Sequence, residues 1–137
     1  MAKVIFTNGQ ILVNGVDLSD HAAEITIDTK AADIDVTAMG ATGKQRMPGL
    51  KDESIKVKWR QDFAASKVDA SLQPLYAAGT EFVIEVRPVN GARSTTNPGY
   101  NGNAYLLEYQ PIAGAVGSAM DIQTSFVVDG ALTRSTS

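Results

Sequence analysis

Ser54-Ile-Lys-Val-Lys-Trp-Arg60 decides the fold class. Ile55, Val57 and Trp59 alternate with Lys56, Lys58 and Arg60. Successive side chains of an extended strand point to opposite faces, so this segment offers one apolar face to a core and one charged face to water. The same period of two recurs outward in both directions. Upstream, Glu24-Ile-Thr-Ile-Asp28 repeats it with Ile25 and Ile27. Downstream, Glu81-Phe-Val-Ile-Glu-Val-Arg87 repeats it with Phe82, Ile84 and Val86, while Tyr105, Leu107 and Tyr109 share a parity that should face the core. Six to eight strands are expected.

The punctuation between strands is Asn-Gly and Asp-Gly: Asn8-Gly9, Asn14-Gly15, Asn90-Gly91, Asn101-Gly102 and Asp129-Gly130. Both central residues of a type I′ turn need φ > 0, which these pairs reach most cheaply. Hairpins are expected around Asn8-Gly9, between 3–7 and 10–14, and around Asp129-Gly130, between 120–128 and 131–136. One segment breaks the period. Over 67–78, Val68, Leu72, Leu75 and Tyr76 fall at helical spacing, Ser66 or Asp69 can cap the start, and Gly79 can take the left-handed position past the end. Pro74 cannot donate a helical hydrogen bond, so Ser71 is an alternative cap that would place it in the first turn. Residues 30–49, with Gly40, Gly43 and Gly49, read as a long loop, as do 90–103.

Composition narrows the function. At 137 residues the chain is one domain, 44% hydrophobic and 20% charged, without cysteine, so neither disulfides nor thiolate metal sites can support it. No secretory leader or membrane span is expected, since no apolar run approaches ~20 residues. A formal charge of −3 argues against gripping nucleic acid through its phosphates.

Catalytic and cofactor chemistry fails on inventory. Ser19-Asp20-His21 holds the residue types of a hydrolase triad, but contiguous side chains diverge, so a polar loop with local backbone hydrogen bonds is the reading taken. Around Gly43-Lys44, Ala38 and Gln45 stand where a phosphate-binding loop needs glycine and Ser or Thr. Asp33 with Asp35 and Asp52 with Glu53 lack the density of a calcium loop and read as solvated turn residues. Lys56, Lys58 and Arg60 have no interleaved aromatics for nucleic acid; with Glu24, Asp28, Glu81 and Glu85 on comparable wet faces, they read as a cross-strand charge ladder. No enzyme, cofactor or metal is expected.

Four stretches, taken in order, resemble the major tail tube proteins of long-tailed (siphovirus-type) bacteriophages, a family related in fold to contractile-tail and secretion-system tubes. They are Val16-Asp-Leu-Ser-Asp-His21 leading into Ala23-Glu-Ile-Thr-Ile27; Ile34-Asp-Val-Thr37 with Gly40; Pro48-Gly-Leu-Lys-Asp-Glu-Ser-Ile-Lys-Val-Lys-Trp-Arg-Gln-Asp62; and Phe126-Val-Val-Asp-Gly-Ala-Leu-Thr-Arg134. The helix, Gly79-Thr80, Val86-Arg-Pro88 and Asn97-Pro-Gly-Tyr100 keep the same order.

The resemblance implies a mainly β, sandwich- or barrel-like antiparallel subunit with one flanking helix. Six copies would form a ring, and stacked rings would make a virion tube, assembled in the host cytoplasm, through which double-stranded DNA passes without specific binding. Its partners would be itself, a tape-measure protein, a tail terminator and distal tail or baseplate proteins, with no membrane. With about four strands per copy spaced ~4.8 Å and tilted ~40°, the inner barrel would be about 48 Å across. Asp33, Asp35, Met39, Lys44, Arg46 and Met47 are the candidate contacts between rings, because family tubes use an extended loop there and methionine supplies adaptable apolar contact. Glu24, Asp28 and Asp121 are the candidate lumen-facing groups, whose charge would repel phosphate. A contractile or secretion-type tube is the near alternative. A β-sandwich binding module for virion decoration or adhesion is a different class. Such a module usually exposes clustered aromatics, whereas Trp59, Tyr76, Tyr100, Tyr105 and Tyr109 fall mostly at core-facing parity.

Overall fold

A computed structural model of the chain describes residue 6 and residues 8–136. Seven strands, β1 Gln10–Val13, β2 Val16–Asp17, β3 Ala22–Asp35, β4 Arg46–Arg60, β5 Phe82–Arg87, β6 Gly99–Tyr109 and β7 Asp121–Ser135, form one sheet with the order β2-β1-β5-β6-β7-β4-β3. Every pairing is antiparallel. The expected mainly β architecture with one flanking helix is therefore what the chain adopts, in a single sheet that does not close into a barrel.

That sheet has to be curled. Among the described residues β2 and β3 are its two borders, six strand spacings or ~29 Å apart if flat. Yet only Leu18 and the 3-10 turn Ser19–His21 join them, and so short a connector reaches at most ~18 Å. Inside the curl lies one core, with Trp59, Phe126, Ile11, Ile55, Ile84 and Ile122 fully buried. Phe82 meets Phe126 edge to face at 5.8 Å, and Trp59 Nε1 donates to Thr124 Oγ1 at 2.8 Å. Ile25 and Ile27 are half-buried against the same core.

The helix α1, Val68–Ala78, buries Val68, Leu72 and Leu75 and ends on Gly79, whose φ of 64° lets its N–H reach the Leu75 carbonyl at 3.1 Å. Neither Ser66, Asp69 nor Ser71 caps it: Lys67 is the N-cap residue, without a side-chain cap, and Pro74 sits inside the helix.

Turn chemistry is spent differently from expectation. Asn14 and Gly15, at φ 51° and 83°, make the two-residue turn joining β1 to β2. Asp129-Gly130 is no hairpin. β7 runs straight through it, and the pairing moves from Asn103↔Asp129 to Asn101↔Thr133, so the pair forms a bulge with Gly130 at φ 90°. The expected hairpin at Asn8-Gly9 depends on residues 3–7, of which all but residue 6 lie outside the described residues.

Two further corrections follow from pairing. A second bulge, between Leu106 and Glu108, shifts the parity of β6, so Ala104, Leu106 and Tyr109 are buried while Leu107 is turned out. And half of 30–49 is strand, since β3 runs to Asp35 and β4 begins at Arg46, leaving 36–45 irregular. Gly49, read as a loop marker, lies in β4, where a Cβ would stand 2.7 Å from Ile34 Cδ1.

Candidate assembly surfaces

β4 pairs with β7 only as far as Ser54↔Val127, while its pairing with β3 continues to Asp35↔Arg46. The two strands therefore leave the body as a two-stranded arm. Opposed residues share a face, so Asp35 and Arg46 lie on one side, with Arg46 Nη1 3.6 Å from Asp33 Oδ2. Ile34 and Met47 lie opposite each other on the other side, both about half exposed. Met39 is fully exposed at the tip, and Lys44 is exposed near it.

Thr37 organises this tip. Its N–H donates to Asp35 Oδ1 at 2.9 Å, and its hydroxyl accepts the Gln45 N–H at 2.8 Å. These contacts with Thr37 hold the Asp35 carboxyl below the usual range. The six candidate contact residues thus share one arm, Asp33 and Asp35 on β3, Arg46 and Met47 on β4, Met39 and Lys44 in the connection. Thr37 was not singled out, although an Asp-x-Thr step at a strand end is a local signal for a side-chain-capped turn.

Glu24, Thr26, Asp28, Lys56, Lys58, Glu108, Gln123 and Ser125 line a shallow polar depression of about 470 Å³ on the water-facing side of β3, β4 and β7. Two of the three acidic candidates, Glu24 and Asp28, are here, and Asp121 lies at the start of β7 opposite Arg60. Each is matched by a base. Lys56 Nζ is 3.9 Å from Asp28 Oδ2, Glu24 opposes Lys58, and Arg60 is hydrogen-bonded to Asp121. The expected charge ladder is present for Glu24 and Asp28, with Asp121 added, but Glu81 and Glu85 lie elsewhere, Glu85 with Arg87 and Arg93.

At the end of the sheet away from the arm, His21 joins two connections. Nδ1 lies 2.8 Å from Asp20 Oδ1 and Nε2 2.8 Å from Asp62 Oδ2. The carboxylates of Asp20 and Asp62 raise the His21 pKa against the opposing effect of burial; the His21 bond lowers Asp20, while Asp62 is lowered first by the Ala64 N–H that it accepts and then by His21. Ser19 turns away, its hydroxyl bonding Asp17 and accepting the Ile11 N–H at 2.9 Å, so Ser19, Asp20 and His21 form no relay. Nearby, the Tyr109 hydroxyl donates to Asp69 Oδ1 at 2.6 Å; burial, with that carboxylate, pushes the phenol up to about 12.

Two carboxylates read as solvated are buried. Glu53 accepts the Leu132 N–H at 3.1 Å beside the β7 bulge. Glu85 lies between Arg87 and Arg93, and a Cβ on Gly99 would come within 2.6 Å of its Oε2. Asn97 folds the adjoining loop around its amide, accepting the Val89 N–H at 3.0 Å and donating to the Ala92 carbonyl at 3.0 Å. Period-2 patterning cannot reveal such burial, because besides Arg87 of its own strand Glu85 is enclosed by Arg93, folded back from the loop that follows β5.

No protein-family model and no curated protein matches the chain. Solved structures do. The SPP1 tail tube, determined by solid-state NMR and cryo-EM, superposes with a TM-score of 0.77 at 15% identity, covering 98% of this chain and 80% of that one. The tail of an empty gene transfer agent particle, refined with helical C6 symmetry, gives 0.68 at 18% identity over 84% and 82%. The sheath-tube complex of the extracellular contractile injection system PVC gives 0.73 at 14% identity over 98% and 93%. Across almost its whole length, the chain has the fold found in phage tail tubes and contractile injection tubes.

Proposed function

We propose that this chain is the structural subunit of a phage tail tube, six copies forming a ring and rings stacking into a hollow conduit for DNA. The observation that carries the reading is a curled sheet whose 14-residue border strand, β3, has no second partner strand among the described residues and runs out into an arm that the described body does not cover. A long unpaired border is an aggregation hazard for a lone protein and an interface for a ring. An isolated two-stranded hairpin is marginal in water, so the arm needs a surface from another chain.

Asp33, Asp35, Met39, Lys44, Arg46 and Met47 make contacts between rings in this reading. Glu24, Asp28 and Asp121 face the bore, where their pairing with Lys56, Lys58 and Arg60 gives a near-neutral lining along which a duplex slides without counterion release. The subunit is non-enzymatic and belongs to the virion; it meets a tape-measure protein inside the tube, a terminator at one end and distal tail or baseplate proteins at the other. A contractile tube is the second reading, favoured by the superposition on the PVC sheath-tube complex at a TM-score of 0.73; it requires a sheath protein that co-sediments with the tube.

Negative-stain electron microscopy of the concentrated protein tests the function. Hollow tubes or six-membered rings are expected; a monomer at every concentration and ionic strength would end the proposal.

A further inference from the structure

Resting on the proposed role of the arm between rings, we infer that Met39 and Met47 are a peroxide-sensitive modification site whose oxidation to sulfoxide blocks stacking. The chain has no cysteine, so methionine is the sulfur it offers to an oxidant. Among the described residues three methionines are separated by exposure, Met39 at 102%, Met47 at 52% and Met120 at 37%. The two most open belong to one arm. Met120 lies beside the start of β7 at the opposite end of the body, where its carbonyl accepts the Gln61 N–H at 2.9 Å. An oxidant must reach a sulfur lone pair, so access orders the reaction as Met39, then Met47, then Met120.

Hydrogen peroxide is the one co-reactant. The thioether sulfur attacks a peroxide oxygen, the O–O bond breaks, the sulfur gives up two electrons to become the sulfoxide, and the second oxygen leaves as water. An adaptable apolar side chain is thereby turned into a polar acceptor. Its neighbours on the arm are apolar: Met47 stands opposite Ile34, and Val36 and Leu50 are exposed on the same arm. A contact pressed onto that surface must strip water from each sulfoxide, and burying an acceptor without a donor weakens the contact about tenfold per group. Every copy in a ring carries both groups, so the loss multiplies. The fold is spared, because neither methionine belongs to the buried core and the bonds of Thr37 hold the tip without them. Methionine sulfoxide reductases reverse the step; two thiols return the electrons, ending as a disulfide, and the oxygen leaves as water.

The test treats the protein with hydrogen peroxide before assembly, maps the sulfoxides by peptide mass spectrometry and returns the sample to tube-forming conditions. Sulfoxide at Met39 and Met47 should leave rings that do not stack, with the melting curve unmoved, and methionine sulfoxide reductases with dithiothreitol should restore tubes. The double variant Met39→Leu, Met47→Leu keeps apolar side chains of similar volume and should still form tubes after the same treatment. Met39 in finished tubes should oxidise about tenfold more slowly than in free subunits, since reaction follows exposure. Normal tubes from protein fully oxidised at both positions, or loss of tubes from the leucine variant under peroxide, would overturn the modification site while leaving the ring reading intact. A lowered melting transition would also overturn it, by placing the damage in the core. Absence of rings in untreated protein would remove both.

Discussion

His21 shows how a single side chain can tie the molecule together at one end. Bonded at both nitrogens to carboxylates, it is best held as the imidazolium. A group whose folded pKa is raised contributes its full stabilisation below its unfolded value, about 6.5. That contribution is lost as pH rises through the higher folded value. Denaturant midpoints measured from pH 6 to 9 should therefore fall more steeply for the native chain than for His21→Gln; parallel profiles would show that the clamp carries no titratable stability. Thr124 gives a second test at this scale. Thr124→Val keeps the shape but leaves the buried Trp59 N–H without its acceptor, and should cost about 1–3 kcal/mol in urea unfolding. Much at this scale could be read from the chain: Ile55, Val57, Trp59, Phe82, Ile84 and Val86 are buried as their alternation requires, and Gly79 takes its left-handed place. Glu53 and Glu85 could not be read, because Glu53 is satisfied by the Leu132 N–H of β7 and Glu85 is closed over by Arg93 from the loop after β5.

Among the elements, α1 was placed by periodicity within a residue, but its cap was not, since the start is fixed by tertiary bonds such as Asp69 N–H to the Asp62 carbonyl at 3.1 Å. Pro74 forgoes an interior helix bond, and Pro74→Ala should raise stability by about 1–3 kcal/mol, read as a shift in the melting curve. The β3–β4 arm is the element that the sequence concealed most. Glycine signals a loop by default, yet Gly49 stands inside β4, where Ile34 packs across it. Removing residues 38–44 and closing the tip with a two-residue turn should leave the melting temperature within about 1 °C of the parent, because the tip touches no core residue. The same variant should yield rings that fail to stack. Tubes of normal length from it would dismiss the arm as the contact between rings.

For the molecule as a whole, the sheet order was out of reach of any local pattern. Alternation says which residues face inward but not which strand neighbours which, and the borders that matter most for assembly are defined by the partners they lack. Assembly makes stability a matter of concentration. If neighbours complete the sheet, the thermal midpoint should climb by several degrees over a hundredfold increase in protein, as mass action demands for a folded state that binds itself. A midpoint independent of concentration would mean that the isolated fold gains nothing from its copies.

β3 and β4 stay paired from the level of Trp59 to Asp35 and Arg46 at the base of the tip, with register shifts between Ala22 and Glu24 and between Ala31 and Asp33. A pull on that tip along the strand direction would load the whole β3–β4 ladder in shear, sharing the force among its hydrogen bonds at once instead of opening them one after another. A tail that bends and is tugged during adsorption would thus carry tension through continuous backbone rooted in the core, and its weakest mechanical point would be the contact between molecules.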